Sequence, residues 1–392
     1  MNSTETKRPL PEGSWLTPAA AEREVKKRLE AGEKAIMLRT LEDEPGGALT
    51  VVGSTRRLVE RVPLEVVGRT VPAIKWTVEI DRYPGVESVE YTDEEGGTLR
   101  SETKMGGIVM VQVLADKDLA MRPLDAPELM VSTLVTPEGA VPEGAKRGTY
   151  VLSVGDGAMP DLPTTGAQRV ERLDGRRVRV RVDARGGGGG GAVGVAKPED
   201  LGTDAQYMGS SPMINLEDER IGALAREAGG VAEAGGAGGE SARKRAFRLR
   251  SFVQKFIDEK ALSVGFASAS EVARTRTGDC TEHGVLLAAL LRASGIPSRV
   301  VSGLVYVDEF GGKKGVFGYH MWAQAWLPDG EDAKGPHGWV DLDGTLRGGR
   351  VFGAGHIALG VSSLSDAEPQ NFMVTLAPLL GRLKITVEET ER

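Results

Sequence analysis

Apolar residues recur at three- and four-residue spacing through Val285, Leu286, Ala289, Leu290 and Ala293, and Gly295-Ile296-Pro297 then stops the run. That pattern predicts an apolar helix whose first turn holds Cys280. Upstream, Ala242, Ala246, Leu249, Val253, Phe256 and Ile257 line one face of a second helix, with Arg243, Lys244, Arg248 and Lys255 on its solvated side. Beyond residue 297 the period shortens to two. Residues 298–307 read as a strand, 308–315 as a hairpin loop with two adjacent glycines, and 317–327 as the returning strand. Alternation places His320, Trp322, Gln324 and Trp326 on one side of that strand and Tyr319, Met321, Ala323 and Ala325 on the other. A polar stretch, 328–338, leads into Trp339-Val340-Asp341-Leu342-Asp343, in which Trp339, Asp341 and Asp343 again point one way.

The first half of the chain is patterned differently. A polar leader over 1–14 is expected to be disordered, and Thr17-Pro18 reads as a helix cap with proline in the first turn of a helix reaching about residue 31. Alternating segments at 76–80, 109–113 and 178–182, separated by Gly/Pro/Asp turns, read as an antiparallel β-rich domain spanning 15–210. Residues 186–191 form a glycine run that is followed by neither Gly-Lys-Ser/Thr nor a helix start, so it is read as a linker or hairpin tip and not as a phosphate loop. A loose stretch at 229–239 separates a helix near 216–228 from the next. The domain over 211–392 combines helices with later antiparallel strands, and Leu383, Ile385 and Val387 suggest a final strand at a sheet edge. The expected class is α+β.

Composition fits a folded protein, with 40% hydrophobic and 27% charged residues and room for two domains. A net charge of -7, with no concentrated Lys/Arg run, argues against nucleic acid as a partner. No apolar run approaches a membrane span and no secretory h-region opens the chain. Taken literally this is a cytoplasmic protein, although a chain trimmed of its export signal reads the same way.

Cys280 is the single cysteine, which excludes an intrachain disulfide and leaves the compartment open. At a helix N-terminus, unpaired N–H groups and the positive end of the dipole favour an anion, so its thiol is expected to ionise more readily than a free one. His320 and an aspartate follow on two later strands. A carboxylate beside an imidazole holds its tautomer and stabilises the imidazolium that pairs with a thiolate. Strand parity does not separate Asp341 from Asp343 in that role.

These blocks resemble the core of the transglutaminase-like superfamily. Three carry the likeness: Arg276-Thr277-Gly278-Asp279-Cys280-Thr281-Glu282-His283 with Leu291-Arg292-Ala293-Ser294-Gly295-Ile296-Pro297-Ser298-Arg299, then Gly318-Tyr319-His320-Met321-Trp322, then Gly338-Trp339-Val340-Asp341-Leu342-Asp343-Gly344-Thr345. The resemblance covers about the C-terminal two-fifths of the chain and implies that 211–392 is a papain-like catalytic domain. It implies Cys280 as nucleophile, His320 as general base and Asp343 as orienting acid, with Asp341 in reserve. It also implies acyl transfer from an amide of a peptide or protein substrate through a thioester, without a cofactor. Hydrolysis is favoured slightly over transfer to an amine. Gly344 and Gln324 depart from the common pattern, and they bear on substrate contacts rather than on the three implied residues.

Other readings compete. His283 lies one helical turn from Cys280 and is the rival base, its blander roles being packing or lining of a cleft. Glu282 favours the helix N-terminus electrostatically. With Trp322 and Gln324, these two residues complete the expected substrate-binding set. Zinc held by Cys280, His283, His320 and Asp343 is disfavoured because no paired ligand spacing supports it. A module that keeps the fold without turnover is the non-enzymatic alternative.

Overall fold

The computed structural model describes residues 10–43, 49–81, 87–105, 108–120, 133–155, 157–185, 205–230, 240–258, 267–328, 337–347, 352–365, 376 and 379–392. The expected leader up to residue 9, the glycine run at 186–191 and the stretch 231–239 lie outside them. The chain divides into two compact units, Met1–Leu124 and Asp125–Arg392.

In the first unit, helix α1 (Pro18–Glu30) is capped by Thr17, whose hydroxyl accepts from Ala20 N, and proline opens its first turn as expected. Six strands follow as a consecutive antiparallel meander: β1 (Ala35–Asp43), β2 (Leu49–Val66), β3 (Arg69–Ile80), β4 (Glu87–Thr92), β5 (Thr98–Met105) and β6 (Ile108–Val113). A short helix, α2 (Lys117–Ala120), comes next. The helix buries Ala21 and Val25 in one core with Ile36, Leu38, Ile74, Trp76 and Val78. Trp76 is fully buried, and its indole N–H satisfies itself on the Thr92 hydroxyl at 3.0 Å.

Among its described residues, the second unit contains two four-stranded antiparallel sheets. One is ordered β14-β7-β9-β8, from β7 (Arg147–Val154), β8 (Gln168–Arg172), β9 (Arg177–Asp183) and β14 (Leu383–Glu391). The other is ordered β12-β11-β10-β13, from β10 (Ser298–Phe310), β11 (Lys313–Pro328), β12 (His337–Leu342) and β13 (His356–Ser362). Because β7 pairs with the C-terminal strand β14 and β9 joins the same sheet through β7, the boundary between units falls at 124/125, whereas the sequence reading draws it at 210/211. Pairing across more than 200 residues leaves no local trace in a sequence.

Among the described residues, five helices belong to this unit: α3 (Ala205–Met208), α4 (Glu219–Glu227), α5 (Ala242–Phe256), α6 (Ala269–Thr275) and α7 (Cys280–Ala293). The α5 face read from the sequence is the buried one, with Ala246, Leu249, Val253 and Phe256 inside. Residues 285–291 of α7 are all completely buried. They share a core with Met321, Ala323, Ala325 and Leu327 of β11 and Val340 and Leu342 of β12. A Leu286→Ala change there would cost roughly 2–5 kcal/mol through lost burial and the cavity left behind. A second core joins Tyr150, Leu152, Val178, Val180 and Ile385 of one sheet to Val301, Leu304, Phe317, Trp322 and Ile357 of the other. The layers are therefore helices, sheet and sheet, an α+β architecture.

Two local expectations are corrected. The β10–β11 hairpin is paired out to Phe310 and Lys313, so the loop expected over 308–315 shrinks to a two-residue turn at Gly311-Gly312. Tyr319 also breaks the alternation, packing with Tyr306 against the core that holds Trp322. The cause lies next door, where β10 shifts register against β13 between Ser302 and Gly303, the residues paired with Met321 and His320. Such a bulge adds local twist. No helix among the described residues is long and apolar enough to cross a membrane.

Candidate active site

Helix α7 begins in a reciprocal cap. Asp279 Oδ1 accepts from Thr281 N at 2.8 Å, while Glu282 Oε2 accepts from Asp279 N at 2.9 Å. Glu282 folds back so tightly that a Cβ on Gly278 would lie 2.3 Å from its own Cβ, which requires glycine there. Its other oxygen accepts from Ala267 N at 3.0 Å. Burial raises the Glu282 pKa, against the pull of these backbone donors. This cap fixes the turn in which Cys280 sits, and Cys280 itself is only half-buried. Its backbone N–H is among the first-turn donors that no carbonyl of the same helix can take.

His320 reaches the site from β11. Its Nε2 donates to Asp343 Oδ2 at 2.8 Å, and the ring also lies within hydrogen-bonding reach of the Cys280 side chain. Burial would lower the His320 pKa, but the charge and hydrogen bond of Asp343 and the contact with Cys280 outweigh it and push it up to about 10. Burial likewise opposes ionisation of Asp343, yet the charges and hydrogen bonds of His320 and His356 hold it well below the usual carboxylate range. The other oxygen, Oδ1, accepts from the backbone N and hydroxyl of Thr345 at 2.8 and 2.7 Å. From α5, Arg250 donates to the carbonyls of Asp343 and Leu346 at 2.8 and 3.1 Å and so pins the loop that carries the acid.

The structure separates the two aspartates that strand parity left equal. β12 ends at Leu342, so Asp343 leaves the strand and turns toward His320, whereas Asp341 remains in the sheet. Asp341 Oδ1 accepts from Trp322 Nε1 at 2.9 Å and Gln324 Nε2 at 2.6 Å, and Oδ2 accepts from Ala167 N at 3.0 Å. Gly166 permits that last contact, since a Cβ there would fall 2.0 Å from Asp341 Oδ2. Burial drives the Asp341 pKa upward against these donors.

The four residues expected to touch substrate are all buried, each with a partner inside the protein. Trp322 donates to Asp341 and stacks with His320, their ring centroids 6.0 Å apart. Gln324 is completely buried, its oxygen taking Arg299 and Thr165, each at 3.0 Å, while its amide donates to Asp341. A glutamate at this position would set two carboxylates face to face, a physical reason for the departure from the common pattern. Glu282 is spent on the helix cap. His283 turns its Nδ1 to the Asp279 carbonyl at 2.6 Å, which accounts for it as a packed, hydrogen-bonded residue instead of the base.

Two residues at the site carry no role assigned from the sequence. Arg250 sits among the basic residues of α5, where its charge resembles ordinary surface. His356 opens β13 and places Nε2 3.1 Å from Asp343 Oδ2. Among the described residues, His320, Asp343 and His356 are also the ligand types whose donor atoms cluster within 4.8 Å. Cys280 and His283, included in the zinc alternative, are not in that cluster.

The sequence model of the transglutaminase-like superfamily matches residues 230–344, a span that contains Cys280, His320 and Asp343. This region belongs to the transglutaminase-like superfamily. Among solved structures, the chain is similar to a proposed cysteine protease from Cytophaga hutchinsonii, at 14% identity and TM-score 0.34 over 62% of this chain and 86% of that one. It is similar to the periplasmic domain of TgpA from Pseudomonas aeruginosa bound to ethylmercury, at 16% identity and TM-score 0.28 over 57% and 87%. A structure described as a TGase matches at 12% identity and TM-score 0.25 over 70% and 67%. Comparison with curated proteins gives no match.

Proposed function

We propose that Cys280, His320 and Asp343 form the catalytic triad of a cysteine acyl-transfer enzyme that acts on amide bonds of a peptide or protein, with water as the favoured acceptor. The observation that carries this reading is the chain of contacts from a half-buried sulfur at a helix N-terminus, through His320, to a buried carboxylate. The thiolate form of Cys280 is the nucleophile in this reading. The sulfur attacks the amide carbon, and the Cys280 N–H is placed to donate to the oxyanion that forms. His320 passes its Nδ1 proton to the leaving nitrogen, the C–N bond breaks, and a thioester remains on Cys280. Water then attacks the thioester, gives a proton back to His320 and releases the carboxylic acid with the thiolate restored. Asp343 keeps Nε2 protonated throughout and stabilises the imidazolium.

The competing outcome replaces water with an amine. A library of unblocked peptides incubated with the full chain and a primary amine distinguishes the two by mass spectrometry. Hydrolysis gives cleaved or deamidated products without incorporated amine, and that is the expected result. Amine adducts in excess over hydrolysed products would overturn the preference for water. Neither product, from a chain whose Cys280 alkylates no faster than a free thiol, would overturn the enzymatic reading.

A further inference from the structure

The reaction just described needs one histidine, yet Asp343 holds two. His356 is 5% exposed at the start of β13, paired across from Val305. Its ring lies on Phe352 with centroids 4.2 Å apart and meets the edge of Trp322 at 5.5 Å. Nε2 points at the same Asp343 oxygen that accepts from His320. Nδ1 faces the Gly353 carbonyl at the longer distance of 3.3 Å. Both contacts are to acceptors, and the carboxylate is the stronger one, so a proton belongs on Nε2.

We propose that His356 is a positioning residue of this site: by donating to the Oδ2 that also takes His320, it fixes the Asp343 carboxylate and divides its hold on the His320 proton. The inference rests on the triad reading above. With Thr345 filling Oδ1, His356 leaves the carboxylate no freedom to rotate away from His320. Each further donor stabilises the carboxylate and makes it a weaker base toward the next. The groups that face this pair are Cys280 from α7, Asp343 and Asp341 from the end of β12, Tyr306 of β10 beside Gly355, and Arg250 of α5 on the Asp343 carbonyl. Losing the donor at 356 strengthens the hold of Asp343 on His320. A ring that only filled space would leave that hold unchanged.

The chain has four histidines, so ¹³C-histidine NMR can follow His320 through a pH titration. A full-length Cys280→Ala background removes the sulfur's own contribution. In it, His356→Phe, which keeps an aromatic ring against Phe352, raises the His320 midpoint by about half a pH unit or more. His356→Gln, whose amide can still donate to Oδ2, raises it less. His356→Leu replaces the Phe variant should that one not fold. A midpoint that stays or falls when the donor is removed overturns the proposal, as does an equal rise in the Gln and Phe variants. Failure of the triad reading shows separately, as slow alkylation of Cys280 in the unaltered chain.

Discussion

Asp341 and Asp343 are separated by one residue, both are buried, and their surroundings are opposite. Asp343 ends on two histidines and a threonine and is held ionised. Asp341 ends on an indole, an amide and a backbone N–H, all neutral donors, and burial drives its pKa the other way. Carboxylates so close in sequence are therefore assigned by what donates to them. In the proposed triad, the first region stabilises a cation that forms beside a sulfur. The second ties β11 and β12 to the 165–168 segment and, through Gln324, to Arg299, whose guanidinium lies 3.9 Å over Trp339.

The comparison can be broken at several points. Cys280→Ala should abolish acyl transfer, by about 10⁴-fold or more in kcat/KM, while thermal unfolding stays near that of the unaltered chain. Asp343→Asn should follow at roughly 10²–10⁴-fold, because an amide at Oδ2 cannot keep Nε2 of His320 protonated and leaves the wrong tautomer facing Cys280. Asp341→Asn should act on stability instead. Asparagine retains one oxygen for Trp322 and Gln324 but turns an N–H₂ toward Ala167 N–H, costing about 1–3 kcal/mol in denaturant unfolding. Its kcat/KM should fall less than about tenfold. Comparable losses of turnover in the two asparagine variants would erase the distinction.

The smallest expected effect is on the pH dependence of stability. The folded-state pKa of His320 is raised from its ordinary value to about 10. Its contribution is therefore fully present below about 6.5 and is lost as pH climbs through the folded value. Asp343 is depressed, so its contribution is present above the ordinary carboxylate pKa and lost in acid. Tm should decline between about pH 6.5 and 10, and Asp343→Asn should flatten that decline where Asp341→Asn preserves it. An unchanged slope in Asp343→Asn would remove the coupling.

Much of this region was legible because its signals are local. The 3.6-residue period gave α5 and α7, the two-residue period gave β10, β11 and β12, and the Cys, His and Asp blocks supplied candidates in order. What stayed hidden depends on the ends of elements and on distant pairing. Alternation treats Asp341 and Asp343 alike, but the strand stops at Leu342 and the alternation stops with it. His356 has no spacing relation to Cys280 or His320. It arrives through the pairing of β13 with β10, which nothing near residue 356 announces. Gln324 reads as a cleft residue for want of its partner Thr165, some 160 residues earlier, and Trp322 for want of the Asp341 carboxylate that takes its indole N–H.

The alkylation rate of Cys280 by iodoacetamide at pH 6 tests the central claim most directly, because it needs no substrate. An ordinary thiol is almost wholly protonated there, so a sulfur paired with His320 should react at least about tenfold faster than a free cysteine. Asp343→Asn should bring the rate down toward the free value, and Asp341→Asn should leave it within about threefold of the unaltered chain. A rate in the unaltered chain equal to that of free cysteine, or an equal fall in both variants, would contradict the account.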